Sequence, residues 1–314
     1  MKASEAATDD RHRRGVPRRD GWRLQALTLA GATLLLFGCG SSTEKTAAAA
    51  GGAIKGAVAK GPVSGAAVVA FSIDGGTMGP QLGSATSDAQ GNFTLPIGSY
   101  AGAVMLQMSG GAYTDEATGT RMTMQAGDVM TAVVPSVTAG ATVSGIQITP
   151  LTSMAQARAH DMTGGMTPAN IATANGAVGN YFSVSDILHT MPMDPLAPGS
   201  GAGATQDAKN YGICIAAMSE YANSIGMTTS SSGIVTAMMK DASDGVMNGM
   251  MGSAAISMGG MGGMMGGSMS PAAGTSELTT AMSRFVGSTM NKSGVSMSDM
   301  QGLADRLSAS GGAL

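Results

Sequence analysis

The chain has 314 residues, a formal net charge of −3 at neutral pH, 43% hydrophobic residues and only 12% charged ones. Basic residues after the N-terminal segment, such as Lys55, Arg121, Arg158 and Lys240, are scattered, which gives no electrostatic footprint for nucleic acid and sets that partner class aside. Three histidines, His12, His160 and His189, open no HExxH or HxxE pattern, so a zinc peptidase lacks its ligand set.

The first element is a targeting segment. Arg11, Arg13, Arg14, Arg18, Arg19 and Arg23 precede an apolar run from Leu24 to Phe37. At roughly fifteen residues the run falls short of the about twenty that a permanent membrane helix requires. Residues 1–38 therefore read as a cleaved signal peptide. Leu36-Phe37-Gly38-Cys39 resembles a bacterial lipobox, with Phe37 departing from the small or β-branched residue usual at that place. The resemblance implies lipidation of Cys39 by acyl chains such as palmitate and a cell-envelope address, with the membrane as the first partner. An uncleaved anchor and ordinary secretion are the alternatives. Gly40 and Ser41 lack the acidic residue associated with inner-membrane retention, which favours the outer membrane in a Gram-negative host. The segment holds seven of the 17 basic and four of the 20 acidic residues, leaving ten against sixteen in the mature chain.

Residues 39–53 have the Ser, Thr, Ala and Gly composition of a flexible tether. From 54 to 149, short β-rich runs alternate with turn residues, which predicts an antiparallel β-sandwich. Strands are expected at Ile54–Ala59, Ala66–Ile73, Leu82–Ser87, Asn92–Leu95, Val104–Met108, Arg121–Met124, Val129–Val134 and Val143–Ile148. Asp88-Ala89-Gln90-Gly91 supplies a tight turn, after which Phe93 and Leu95 share one face. The stretches Gly61-Pro62-Val63-Ser64-Gly65-Ala66 and Asp88 to Phe93 carry a likeness: residues 54–110 resemble the carboxypeptidase regulatory-like domain, a transthyretin-like sandwich. That resemblance implies a scaffold or binding role rather than catalysis.

Residues 150–314 read as a helical bundle, which makes the whole an α+β multidomain chain. Helices are expected over Leu151–His160, from Thr167-Pro168 through Phe182, over Thr205–Ile225, Ser232–Asn248, Ser276–Asn291 and Ser298–Ser308, several beginning at a capping hydroxyl. A low-complexity Met/Gly segment spans 247–270. With Cys39 committed to lipid, Cys214 has no partner for a disulfide, and its apolar helical setting suits a buried small hydrophobe better than a reactive thiol.

The methionines offer one constellation for chemistry. Met258, Met261, Met264, Met265 and Met269 bring soft thioethers together on a glycine-rich run, a chemistry that favours Cu(I) or Ag(I). The same run equally reads as a flexible hydrophobic loop or as an oxidant sink. Asp115, Glu116 and Asp128 are too few and too unevenly spaced for calcium and read as solvated turn residues. Asp241 and Asp244 read as an exposed helix face. His160 and His189 read as structural, no GxSxG elbow is present, and no catalytic set assembles. The expectation is a non-enzymatic, lipid-anchored envelope module, structural or binding an envelope protein or glycan, without a cofactor. A soft-metal lipoprotein and an enzyme with an unrecognised interdomain site are the alternatives.

Overall fold

The computed structural model describes residues 51–227, 231–258 and 267–314. Nine strands come first: β1 (Gly52–Val58), β2 (Ala67–Asp74), β3 (Thr77–Thr86), β4 (Asn92–Gly98), β5 (Gly102–Ser109), β6 (Ala112–Thr114), β7 (Arg121–Thr123), β8 (Val129–Val137) and β9 (Thr142–Ile148). Four helices follow: α1 (Pro150–Asp161), α2 (Pro168–Tyr181), α3 (Gln206–Ser224) and α4 (Gly233–Ser243). A two-residue hairpin pair, β10 (Met250–Met251) and β11 (Ala254–Ala255), precedes α5 (Ser276–Val286) and α6 (Met297–Ala309). The fold is α+β, and β1 begins at Gly52, inside the stretch expected to be tether.

Strands β3-β2-β5-β8 form a four-stranded antiparallel sheet, and β4-β1-β9 a three-stranded one. One pair departs from the antiparallel expectation: β1 and β9 run parallel, Ala57 opposite Gln147. A parallel pair needs a long crossover, and here all the intervening strands supply it. Gly56 permits the pairing, because a Cβ there would lie 1.9 Å from the Ile146 carbonyl oxygen. Along β4, Phe93, Leu95 and Ile97 are buried and their neighbours exposed, the alternation expected for a half-buried strand.

Side chains from both sheets enter one apolar cluster, including Ile54, Leu95 and Ile146 from the smaller sheet and Val68, Leu106 and Ala132 from the larger. The opposite face of the larger sheet is covered as well: Ile73, Ala103, Met105 and Val133 pack with Ala159 of α1 and with Ile171 and Ala174 of α2. The boundary expected near residues 148–152 is thus a change of secondary structure inside one compact unit, to which all described residues belong. The sheet cannot bury its second face without the helices, so strands and helices share their core.

The first helices also close the sheet's edge. An open edge strand exposes unpaired backbone groups, and on β8 these are taken by helical side chains. Ser153 Oγ accepts the Thr131 N–H at 2.8 Å, Thr152 Oγ1 donates to the Thr131 carbonyl at 2.8 Å, and Asn175 Nδ2 donates to the Val133 carbonyl at 3.4 Å.

The turn from β9 into α1 is fixed by hydroxyls. Thr149 caps α1 in a reciprocal box with Thr152. The Thr149 hydroxyl also bonds the buried Tyr211 hydroxyl at 2.6 Å, which donates onward to the Ile187 carbonyl at 2.9 Å. Burial pushes the Tyr211 phenol well above its ordinary range, so it stays a neutral donor. Tyr211→Phe should therefore lower stability by about 2 kcal/mol, because it strands buried polar partners on two elements. Urea unfolding checks this, and an unchanged midpoint would show that water or relaxation replaces the bond.

Candidate functional site

The turn after β1 is the starting point. Gly61 has φ +57°, a backbone conformation that L side chains rarely adopt, and a Cβ on it would meet the Thr114 carbonyl oxygen at 2.8 Å. Glycine thus lets the chain fold tightly against β6. A backbone bridge between Ser64 and Ala112 continues the contact. The consequence is that Lys60, one residue earlier, enters the interior and is fully buried.

Lys60 meets groups from four other places in the chain. Its ammonium donates to Ser219 Oγ of α3 at 2.7 Å and to Ser231 Oγ, just before α4, at 3.0 Å. It lies 3.5 Å from Glu116 Oε2 and 3.8 Å from Asp115 Oδ2, and 4.7 Å from the centre of the Tyr113 ring. The serines are themselves engaged: Ser219 Oγ donates to Glu116 Oε2 at 2.6 Å, and Ser231 Oγ bonds the Tyr113 hydroxyl at 2.8 Å. Asp115 is held by its own turn, Oδ1 accepting the Thr118 N–H and hydroxyl.

Burial opposes the charge on Lys60, but Glu116, Tyr113 and Asp115 outweigh it and hold its pKa above the usual lysine range. Lys60 is therefore an ammonium and not a base. Burial pushes the Glu116 carboxyl up, although Lys60 and Ser219 pull it down. Both Ser219 and Lys60 hydrogen-bond Oε2, so a proton on Glu116 belongs on Oε1.

Glu116 has a second role, because it lines a cavity of about 540 Å³. Its Oε1 is buried without a hydrogen-bond partner among the described residues and lies 3.7 Å from the Cβ position of Gly61, another lining residue. Gln147 of β9 lines the same cavity; its Nε2 donates to the Gly145 carbonyl, and its buried Oε1 likewise has no partner there. The far wall is the proline-rich segment from Met191 to Pro195, seated on α3. Met193 donates its N–H to the Ala208 carbonyl at 3.0 Å, and its own carbonyl oxygen would lie 2.0 Å from a Cβ on Gly212. Backbone packs directly on helix, which fixes the wall.

The residues singled out in the sequence lie elsewhere or behave differently. Cys39, Met261, Met264 and Met265 lie outside the described residues. Met258 and Met269 are buried in the apolar core with Ile256, beside an isolated bridge between Ser257 and Ser268, with the Met258 N–H donating to the Gly267 carbonyl and the Met269 N–H to the Ile256 carbonyl. The ends of the Met/Gly segment therefore fold. Asp115 and Glu116 are not solvated: each is 1% exposed. Asp128 instead accepts from the hydroxyls of Ser232 and Thr236 at the start of α4. Asp241 is buried too, where an exposed helix face was expected. Cys214 is buried and its thiol pushed up by burial, so it packs as a small hydrophobe. His160 ends α1 beside Asp161, and His189 bonds Asp186 Oδ2 at 2.8 Å; both are exposed.

Compared with known proteins, the sequence matches no family model and no curated protein. Among solved structures it is similar to a 9R-lipoxygenase from Cyanothece PCC8801, at 14% identity and a TM-score of 0.20. That match covers 32% of this chain and 16% of the lipoxygenase chain, so this chain corresponds to a small part of that enzyme. A likeness of that size carries neither fold nor activity.

Proposed function

We propose that this protein is a non-enzymatic, lipid-anchored module of the bacterial cell envelope, tethered through Cys39 and serving there as a scaffold or binding unit for an envelope protein or glycan. Its two larger sheets, on this reading, form a β-sandwich of the carboxypeptidase regulatory-like kind. The side chains that both sheets send into one apolar cluster support that architecture. Scaffolding by the β half fits its continuous packing against α1 and α2.

One observation carries the non-enzymatic part. Lys60, Ser219 and Ser231 are the residue types of a serine–lysine nucleophile system, yet the amine is buried and charged, and it donates to both hydroxyls. A nucleophilic serine needs a neighbouring base to take its proton. Here the neighbouring nitrogen has no lone pair to offer. The network instead ties β1, β6, α3 and the start of α4 together. The Cu(I) reading of Met258, Met261, Met264, Met265 and Met269 would have to draw Met258 and Met269 out of the core, and we place it second.

The anchor is tested at the mature N-terminus. Mass spectrometry should find Cys39 as the first residue carrying diacylglycerol, and Cys39→Ser should move the protein from the membrane fraction to the soluble one. An unmodified residue at or before position 39 in the membrane-bound protein would defeat the assignment.

A further inference from the structure

The cavity beside Glu116 has a specific chemical character. Two buried acceptor oxygens, Glu116 Oε1 and Gln147 Oε1, lack partners among the described residues, and both residues line it. Buried polar atoms are ordinarily satisfied, so two on one cavity call for a donor that the described residues do not supply. The rest of the wall is largely apolar, with Pro62, Met193, Pro195, Ala204, Ala208 and Ile215 prominent. Its volume of about 540 Å³ is in the range of small-molecule sites.

Charge narrows the ligand further. Lys60 is one cation set against two buried carboxylates, Asp115 and Glu116. With both ionised, the interior holds one uncompensated negative charge, which a second cation would neutralise. An ammonium group brings three donors and no acceptor, matching oxygens that can only accept. A carboxylate ligand would meet repulsion from Glu116 and from Asp194, which also lines the cavity.

We propose that this cavity binds a small primary amine with an apolar body, its ammonium head held by Glu116 Oε1 and Gln147 Oε1. The body packs between the Pro62 turn and the Met191 to Pro195 wall. That wall is seated on α3 before any ligand arrives. The larger groove between α2 and α6, about 900 Å³, has no buried polar atom left unpartnered among its described lining residues. It gives no comparable indication of a ligand.

This names a ligand class for the binding role proposed above and rests on that reading. Its failure is separable, because the N-terminal mass spectrum tests the anchor alone. Isothermal titration of the whole chain at pH 7.5 should be carried out with benzylamine, benzyl alcohol and benzoate, which share one apolar body. Benzylamine should bind about tenfold or more tightly than benzyl alcohol, the difference expected for hydrogen bonds to a charged group, and benzoate should give no heat. Two wall variants avoid the Lys60 network: Gln147→Leu removes one acceptor, and Ala204→Leu fills the space. Each should weaken benzylamine about tenfold while circular dichroism and the urea midpoint report a folded chain. Equal affinity for the amine and the alcohol, no heat from benzylamine, or unchanged binding in both folded variants would overturn the proposal.

Discussion

Lys60→Met is expected to destabilise the protein by about 3–5 kcal/mol, the usual cost of removing one partner from a buried charge cluster. The methionine replaces the aliphatic stem but not the ammonium, so Asp115 and Glu116 remain buried without their cation. Ser219 and Ser231 each lose a donor at 2.7 and 3.0 Å. The effect should reach across the fold, since these partners lie 56, 159 and 171 residues from Lys60 for Glu116, Ser219 and Ser231 respectively. A double variant gives the sharper measurement. Lys60→Met with Glu116→Gln removes both charges of the closest pair and should recover roughly half of the loss, because the stranded carboxylate is what makes the single variant costly. Urea midpoints of the wild type, both single variants and the double variant would measure the coupling. Additive losses would mean that Lys60 and Glu116 do not act as a pair, and an unchanged midpoint for Lys60→Met would remove the network from any account of the fold.

The contrast between what was readable and what was not follows from the range of each interaction. Helix starts were legible because a cap is a local device: Thr167 accepts from the Asn170 N–H beside Pro168, and Thr205 accepts from the Ala208 N–H. Helix ends were less so. The helix expected to reach Asn248 stops at Ser243, where Asp244 and Gly245 turn the chain and Asp241 captures backbone N–H groups further on. Likewise α5 stops at Val286, ahead of Gly287. Strand β6 escaped notice because three residues, Ala112 to Thr114, carry no period and stand in a glycine-rich stretch.

The site residues were hidden for a related reason. Lys60 beside Gly61-Pro62 and Asp115-Glu116 within a turn have the local sequence of solvent-facing loops. Only the meeting of β1, β6, α3 and the start of α4 makes them interior, and no window of neighbouring residues contains that meeting. The one local hint was Gly61, whose positive φ allows the turn to close against Thr114. The apolar walls from Met191 to Pro195 were visible as a proline cluster, but the backbone seat on Gly212 that makes them a wall was not.

Asp241 should make the protein lose stability as pH rises from about 4 to about 6. Its carboxyl is fully buried, with Oδ1 accepting the N–H of Asn248 at 2.9 Å and of Gly249 at 2.7 Å. Burial raises its pKa to about 6, although the backbone N–H groups of Gly249, Asn248 and Met250 pull the other way. The folded state therefore holds a proton that the unfolded chain releases at its ordinary, lower pKa. Between those two values the native protein binds more protons, so stability falls with rising pH: it is fully present below the unfolded value and lost by the folded one. The loss amounts to about 3 kcal/mol by linkage. Glu116 and Glu220, both raised chiefly by burial, act in the same direction, so the wild-type profile alone does not isolate Asp241. Asp241→Asn does, since the amide keeps an acceptor for both N–H groups and cannot ionise. Urea midpoints at pH 4, 5, 6 and 7 should converge with wild type at the acidic end and show a flatter decline above it. Asp241→Ala should instead cost about 2–4 kcal/mol at every pH, because it leaves two backbone donors at the start of the Met-rich segment without their acceptor. A pH profile for Asp241→Asn as steep as that of the wild type would assign the titration to another group, and the carboxylate would then serve that segment only as a hydrogen-bond acceptor.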